Sequence, residues 1–557
     1  MKRIYFFIAL SAVLFCFGCT GNKAKTEADA APRIVNIINF IRQTEPRDEA
    51  ITDEVLYQTV VSQVEQLNAY ELPGTFLLQY DALINPQYQG LLREKLFPGS
   101  EVGAWWEITQ PHVEAAGMSW RGRYPWDWHA DVGFATGYAP AEREKLVDVY
   151  MEKFKSVFGK YPESVGSWFI DAHTLAYMYD KYNIVASCNC KDQIGTDGYT
   201  LWGGYWNQGY YPSRKNAYMP AQHAEAQIPV PIFRMLGSDP IYQYDHGLGS
   251  SVQGVVSLEP VYRYGGGNRK WVEWFFKSIF DDPCLTYNYT QTGQENSFTW
   301  LGMKKGLEIQ IPLIDSLRKQ NAIRVETLAE SGKWFREQFE VTPPTALSAL
   351  SDVRNEGHKT VWFNSRFYRA NLLFKDDSFR FRDIHLFDER FQSDYIEKAG
   401  ESTQCIYTTL PVLDGFLWST RESFAGLYIM RVDAAGNAAP LSFNDPDVTP
   451  LDNNALRVNF NTAEEESFTI IFYEDRFEIS CNAYDKNFAW ILELKTAPEK
   501  ETPFTSFGAN EIKAQWKGFN YGLSCKTGQI EKTGQNGSVC RFFPSANKIV
   551  VDCRNTL

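Results

Sequence analysis

Apolar, β-favouring runs that end on a carboxylate recur through the first 330 residues. Phe76–Tyr80 stops at Asp81, Val102–Trp106 at Glu107, Val165–Ile170 at Asp171 and Val255–Leu258 at Glu259. Val230–Leu236 reaches Asp239 through a Gly-Ser pair. Unbroken apolar runs mark strands buried on both faces, as in parallel sheets. Between many of them the period shifts to that of an amphipathic helix. Strands are therefore predicted at 34–40, 75–80, 102–106, 165–170, 184–190, 232–236, 255–258 and 285–289. Helices are predicted over 48–70, 87–96, 140–158, 270–280 and 303–319. The fold class is α/β: a (β/α)7-8 barrel over 33–340, with an open doubly wound sheet as the topological alternative. No glycine-rich phosphate fingerprint follows any strand, which disfavours nucleotide binding. After Pro343-Pro344 the pattern becomes short and alternating, as in Thr360–Asn364, Arg457–Asn461 and Ala489–Leu494. An antiparallel β-sandwich is predicted over 341–557.

Two long insertions interrupt the strand–helix pattern. Residues 109–138 hold Trp120, Trp126 and Trp128 and read as a site wall; residues 193–227 hold Trp202, Tyr205 and Tyr211 and read as a lid or substrate platform. The chain has 16 Trp, 30 Tyr and 38 Phe, and aromatic faces stack on the C–H faces of sugar rings. A formal charge of −13 argues against nucleic acid as the partner. The amino terminus changes the expected location. Lys2 and Arg3 precede the apolar run Ile4–Phe17, and Gly18 precedes Cys19. This pattern resembles a bacterial lipoprotein signal over 1–19 with Cys19 lipidated, followed by a polar tether over 20–32. It places the protein in the cell envelope, anchored to a membrane through lipid.

Cleavage of a glycosidic bond needs two carboxyl groups, one to protonate the leaving oxygen and one to attack or to activate water. Asp171 and Glu259 are the first pair, with Glu259 as acid and Asp171 as nucleophile or base; Glu107 and Glu295 are the reserves. Each ends or follows an apolar run, where thinning water raises a carboxyl pKa. For any single one of them, helix capping or pairing with arginine is the structural alternative. Substrate contacts are expected from Trp106, Trp168, Trp202, Tyr205, Arg234, Asp239 and Asp81. Trp105 and Trp106 are adjacent on a strand, so at most one faces the barrel interior. A zinc-dependent deacetylase could draw on His112, Asp127, His129, Asp131, Asp171 and His173, but these lack a shared helical spacing, and neither metal nor cofactor is expected. No Gly-x-Ser-x-Gly elbow lies at a strand end. Setting aside Cys16 and Cys19 leaves eight of ten cysteines; Cys188 and Cys190 are expected as buried thiols, and a pair among Cys525, Cys540 and Cys553 could bridge.

Several stretches carry a family likeness: Tyr80-Asp81, Trp106-Glu-Ile108, Trp120-Arg-Gly-Arg123, Gly195-Thr-Asp-Gly-Tyr-Thr-Leu-Trp-Gly-Gly204, Met235-Leu-Gly-Ser-Asp-Pro240, Leu258-Glu-Pro-Val-Tyr262 and Gly293-Gln-Glu-Asn-Ser-Phe298. Together they resemble a family of uncharacterised Bacteroidetes lipoproteins that joins a barrel domain to a β-sandwich, each of unknown function. That resemblance implies the architecture and an envelope location, and no reaction. The barrel more remotely resembles the glycoside hydrolase/deacetylase superfamily, which implies carboxylates after strands four and seven. The expectation is an oligo- or polysaccharide partner and a glycoside hydrolase. The alternatives are a metal-dependent carbohydrate deacetylase and a non-catalytic glycan-binding lipoprotein.

Overall fold

A computed structural model describes residues 31–485, 487–533, 537–555 and 557. Cys19 and the expected signal segment lie outside the described residues. Twelve strands precede residue 330: β1 (Arg33–Ile41), β2 (Thr75–Leu78), β3 (Glu101–Trp105), β4 (Ser164–Gly166), β5 (Ala186–Asn189), β6 (Gln193–Thr196), β7 (Tyr199–Trp202), β8 (Gly209–Tyr210), β9 (Ile232–Arg234), β10 (Cys284–Leu285), β11 (Asn288–Thr292) and β12 (Arg324–Glu326). The helices are α1 (Asp53–Ala69), α2 (Tyr80–Ile84), α3 (Pro86–Glu94), α4 (Gln110–Ala115), α5 (Ala130–Gly133), α6 (Pro140–Phe158), α7 (Ala172–Tyr182), α8 (Arg269–Phe280), α9 (Thr299–Lys319) and α10 (Leu328–Gln338).

Seven of these strands run parallel in the order β11-β1-β2-β3-β4-β5-β9, and β8 adds antiparallel to β9. This is a nearly closed, barrel-like sheet with helices interspersed. The residue before β8 spans the remaining gap by its side chain. Gln208 Oε1 accepts from Tyr289 N at 2.9 Å, and its Nε2 donates to Asn288 Oδ1 at 3.1 Å. β1 shows why its strands read as continuous apolar runs. Ile34, Ile38 and Phe40 enter one core cluster, while Val35, Ile37 and Ile41 enter the cluster shared with the helices. Both faces are covered, so both are largely apolar, with Asn36 and Asn39 as buried exceptions. β11 lies so close to β1 that a Cβ on Gly293 would sit 2.0 Å from Ile38 O, and Gly293 has φ +98. That position tolerates only glycine.

The expected seventh strand over 255–258 does not form; Ser257 makes an isolated bridge to Ser238. The expected eighth splits into β10 and β11, broken at Thr286 with φ 67. From β13 (Thr345–Ala349) onward pairing is antiparallel within the sheets that follow. β14 (Lys359–Asn364), β15 (Tyr368–Lys375), β16 (Ser378–Leu386), β18 (Leu410–Asp414) and β19 (Gly426–Val432) belong to an eleven-stranded sheet that faces an eight-stranded one, sandwich-like. β10 pairs with β13, and β7 pairs with β17 (Cys405–Thr408), so the two parts share hydrogen-bonded edges. All eight cysteines of the described residues are buried and free, including Cys525, Cys540 and Cys553, which the sequence left open to pairing. Among the described residues no helix is long and apolar enough to cross a membrane.

Candidate functional site

A pocket opens at the carboxyl-terminal ends of the parallel strands. It encloses about 560 Å³ of space when the open mouth is included. Arg42 follows β1, Glu107 follows β3, Trp168 follows β4, Gln193 follows β5, Leu236 follows β9 and Glu295 follows β11; all line it. Glu259 reaches it from the loop after the unformed strand. The first insertion supplies Trp126, Trp128 and Phe134 as a wall, and the second supplies Thr196, Asp197 and Tyr199. A parallel sheet thus gathers acids that lie far apart in sequence onto one rim.

The centre of this rim is an ion cluster. Arg42 donates from Nε and NH2 to the two oxygens of Glu107, at 3.0 and 2.7 Å, and from NH1 to Glu295 Oε1 at 3.0 Å. The three side chains are 3%, 0% and 4% exposed. Such a buried fork is favourable only because nearly every lone pair and proton is met. Gln79 Nε2 donates to Glu107 at 2.7 Å, and Ser297 Oγ donates to Glu295 Oε1 at 2.6 Å. The guanidinium also lies 4.0 Å from the Trp126 ring centroid. Glu295 Oε2 is the exception: it is buried and has no hydrogen-bond partner among the described residues. Burial pushes the Glu295 carboxyl up to about 7; Arg42 opposes this and Glu107 adds to it. Glu259 accepts from Ser257 Oγ at 2.9 Å and from Gln294 Nε2 at 3.1 Å. Its carboxyl is also pushed up by burial, against Lys191 and those two hydrogen bonds. Gln294 links the two acids, because its Oε1 accepts from the backbone N–H of Glu295 at 2.9 Å.

Of the expected residues, Glu107, Glu259, Glu295 and Trp168 meet in this pocket. Asp171 does not line it. It caps α7, accepting from Thr174 N at 2.9 Å and Thr174 Oγ1 at 2.6 Å, and pairs with Arg143 at 2.9 Å, both side chains fully buried. β4 ends at Gly166, so Asp171 sits past the rim and serves the helix. Trp106 points to the helix side, edge-on to His112 and Tyr150; Trp105 is the one facing inward, against Phe40 and Trp168. Trp202 and Tyr205 are 1% and 0% exposed. Trp202 Nε1 donates to Asp414 Oδ2 at 2.8 Å, Tyr205 OH donates to Pro343 O at 2.7 Å, and Trp206 stacks on Trp362 at 3.8 Å. That stretch of the second insertion is the joint to the sandwich, not a sugar platform. Arg234 donates to Asp192 Oδ1 at 2.7 Å. Asp239 accepts from Trp271 Nε1 at 2.8 Å, and Asp81 accepts from Ala82 N at 2.7 Å; burial pushes Asp81 up to about 7. All three are buried outside the pocket.

The histidines of the zinc alternative are scattered. His112 is buried against Leu146 O, and His173 contacts Glu144 at 3.0 Å. A different donor set lies on the sandwich sheet: Asp383 and His385 of β16 and Asp414 of β18, with ligand atoms within 4.8 Å of one another. One imidazole and two carboxylates fit a divalent cation in kind. His385 Nε2 lies 3.2 and 3.3 Å from the two carboxylates. Each carboxylate oxygen already accepts a donor, from Tyr244, Arg369, Trp202 or the backbone of Phe416 and Leu417. Burial disfavours charge on His385, but Asp383 and Asp414 outweigh it and raise its pKa. A second group, Asp352, Glu356 and His358, lies between β13 and β14.

Asp197 and Tyr199 come from the insertion expected as a lid or platform, whereas Arg42, Tyr262 and Phe298 line the pocket without having been named as site residues. Arg42 ends an apolar run, the same signal that marks Glu107. Tyr262 stands in an irregular loop and Phe298 in a single 3-10 turn, Asn296–Phe298, so neither has a period to expose it. The sequence matches no family model and no curated protein. Solved structures do resemble it. A Parabacteroides distasonis protein provisionally assigned as a glycoside hydrolase/deacetylase superposes with a TM-score of 0.53 at 17% identity, covering 68% of this chain and 90% of its own. A Mycobacterium smegmatis protein provisionally assigned as a polysaccharide deacetylase gives 0.33 at 11%, covering 56% and 93%. The 4-α-glucanotransferase of Thermococcus litoralis gives 0.31 at 10%, covering 94% and 99%. The first likeness establishes a remote kinship of fold.

Proposed function

We propose that this protein is a glycan-active hydrolase working in the strand-end pocket, with Glu295 as general acid and Glu259 as the opposing base or nucleophile. One observation carries the reading: Glu295 keeps a buried, unpartnered Oε2 on a carboxyl held near 7, inside an aromatic-walled pocket. A general acid must hold its proton near neutral pH and have a free oxygen to deliver it. Glu259, fixed by Ser257 and Gln294, is the second carboxyl that glycoside cleavage requires. Arg42 and Glu107 form the fixed charge pair behind Glu295. Four lining acids, Glu107, Asp197, Glu259 and Glu295, outnumber Arg42 and Arg47, and Arg47 is itself bound to Glu45. That balance favours neutral glycans over acidic ones.

A second reading, metal-dependent deacetylation, is supported by the fold likeness and by the Asp383–His385–Asp414 donor set. A cation held by His385 Nε2 and those carboxylates would supply Lewis acidity to an acyl carbonyl. One experiment separates the readings. Purified protein is incubated with neutral and acetylated plant and host oligosaccharides, reducing ends and free acetate are assayed, and bound metal is measured by elemental analysis. New reducing ends insensitive to chelator are expected. Acetate release with bound metal that disappears in His385→Ala would establish the second reading instead. Binding without either product would leave a glycan-binding protein.

We further infer that the protein is an envelope lipoprotein of the resembled Bacteroidetes type. Lys2, Arg3, the apolar Ile4–Phe17 run and Gly18-Cys19 support this. In a bacterial host, wild type is expected in the membrane fraction carrying labelled fatty acid, and Cys19→Ala is expected to lose the label. Unlabelled wild type would remove the anchor.

A further inference from the structure

A groove of about 1240 Å³, open space included, leads away from the pocket across the amino-terminal ends of α1 and α9. Phe298 lines both hollows. Ile51, Val55 and Trp300 give the groove apolar faces, and Asp48, Gln58 and Ser62 place hydrogen-bonding groups among them. Leu301, also in the lining, is 90% exposed, and Phe298 is 36% exposed. Leaving large apolar side chains in water beside a site is unfavourable unless something covers them. The backbone between them is strained. Thr299 has φ 59 and ψ 155, a region almost confined to glycine. It is held there by Thr59 Oγ1, which accepts from Trp300 N at 3.0 Å. This strain presents Phe298 and Leu301 outward. The groove also starts at the acid: Ser297 lines it, and its hydroxyl donates to Glu295 Oε1 at 2.6 Å.

We infer that this groove binds the leaving-group side of an extended neutral glycan, whose chain runs from the pocket over Phe298 and along Trp300 and Leu301. The inference rests on Glu295 as the acid. Sugar rings carry apolar faces edged with hydroxyls, and the groove alternates apolar and hydrogen-bonding groups in the same way. A groove continuous with the pocket on the acid's side is where the departing chain must lie. The protein is then selective for chains several residues long rather than for single sugars with small leaving groups.

The test uses the full chain with Ile51→Ser and Leu301→Ser combined. Ile51 is partly and Leu301 largely exposed, so the fold should tolerate both substitutions. kcat/KM is measured on a ladder of neutral oligosaccharides and on the aryl glycoside of one sugar. Binding of the same ladder is measured by calorimetry in Glu295→Gln, with and without the groove substitutions. The long-to-short ratio of kcat/KM is expected to fall about tenfold through KM, and affinity for long chains to fall alike, the loss of roughly one buried apolar contact. An equal loss at every length, or none, overturns the groove while leaving the pocket reading intact. If wild type cleaves nothing, the pocket reading falls, and the calorimetry alone decides the groove: chain-length-dependent binding lost on substitution supports it, and unchanged binding overturns it.

Discussion

Replacing Glu295 with glutamine should cut turnover by about 10²–10⁴-fold, the usual contribution of a positioned proton donor, without harming the fold. Glutamine keeps the shape and an oxygen for the Ser297 hydroxyl, but it has no proton of suitable acidity for a leaving oxygen. The loss should fall on kcat, because the aromatic walls that bind substrate are untouched. The pH profile gives a sharper reading. Burial holds the Glu295 carboxyl near 7, so wild-type activity should fall as pH rises through that value and the acid form disappears. The variant's residual activity should lack that limb. Stability gives a third reading, of opposite sign. A carboxyl whose folded pKa lies above its unfolded one contributes stability that is fully present below the unfolded value and lost as pH rises through the folded one. At pH 8 wild type therefore buries a charge that glutamine does not, and the variant should be at least as resistant to urea; at pH 5 that advantage should vanish. Full activity in Glu295→Gln, or a variant unstable at pH 8, would remove Glu295 from the acid's role.

Much of the fold could be read from the chain because β1 and β2 are covered on both faces, and that requirement writes itself as largely apolar runs, broken in β1 only by the buried Asn36 and Asn39. The rim followed from it, since parallel strands bring all their carboxyl ends to one side, and so Glu107 and Glu295 meet; Glu259 joins them from a loop rather than from a strand end. Asp171 carried the same local signature and went elsewhere. Its strand stops after three residues, and a helix amino terminus competes for the carboxylate. A one-residue parity decides whether Trp105 or Trp106 faces inward, and sequence alone leaves that parity open. Trp202 and Tyr205 illustrate a different limit. An aromatic loop built to stack on sugar and one built to seat against another sheet have the same composition. Here the partner is the sandwich, through Asp414 and Pro343. The partners of Arg42 lie 65 and 253 residues away, a relation that no local pattern encodes.

The second large effect concerns that arginine. Arg42→Met should destabilise the protein by about 3–5 kcal/mol, the cost of stripping one side from a buried ion pair, and should abolish turnover. Methionine fills much of the volume and can still pack on Trp126, so the loss reports charge rather than space. It leaves Glu107 and Glu295 buried side by side with no counter-ion between them. The sign of the pH dependence follows. Arg42 is what lowers the Glu295 carboxyl against burial and against Glu107, so its removal sends that carboxyl higher still above its unfolded value. Stability from a raised carboxyl is kept below the unfolded pKa and lost with rising pH. The deficit against wild type should therefore be level from pH 5 to about 7, where both proteins keep that carboxyl protonated, and grow as pH rises beyond 7, as read by urea unfolding at three pH values. Arg42→Lys should recover part of the stability and little of the activity, because an ammonium supplies the charge but cannot present the planar fork that holds Glu107 at both oxygens while reaching Glu295. A deficit independent of pH, or larger in acid, would mean that the guanidinium is not what balances these acids, and the geometry assigned to the proton donor would lose its support.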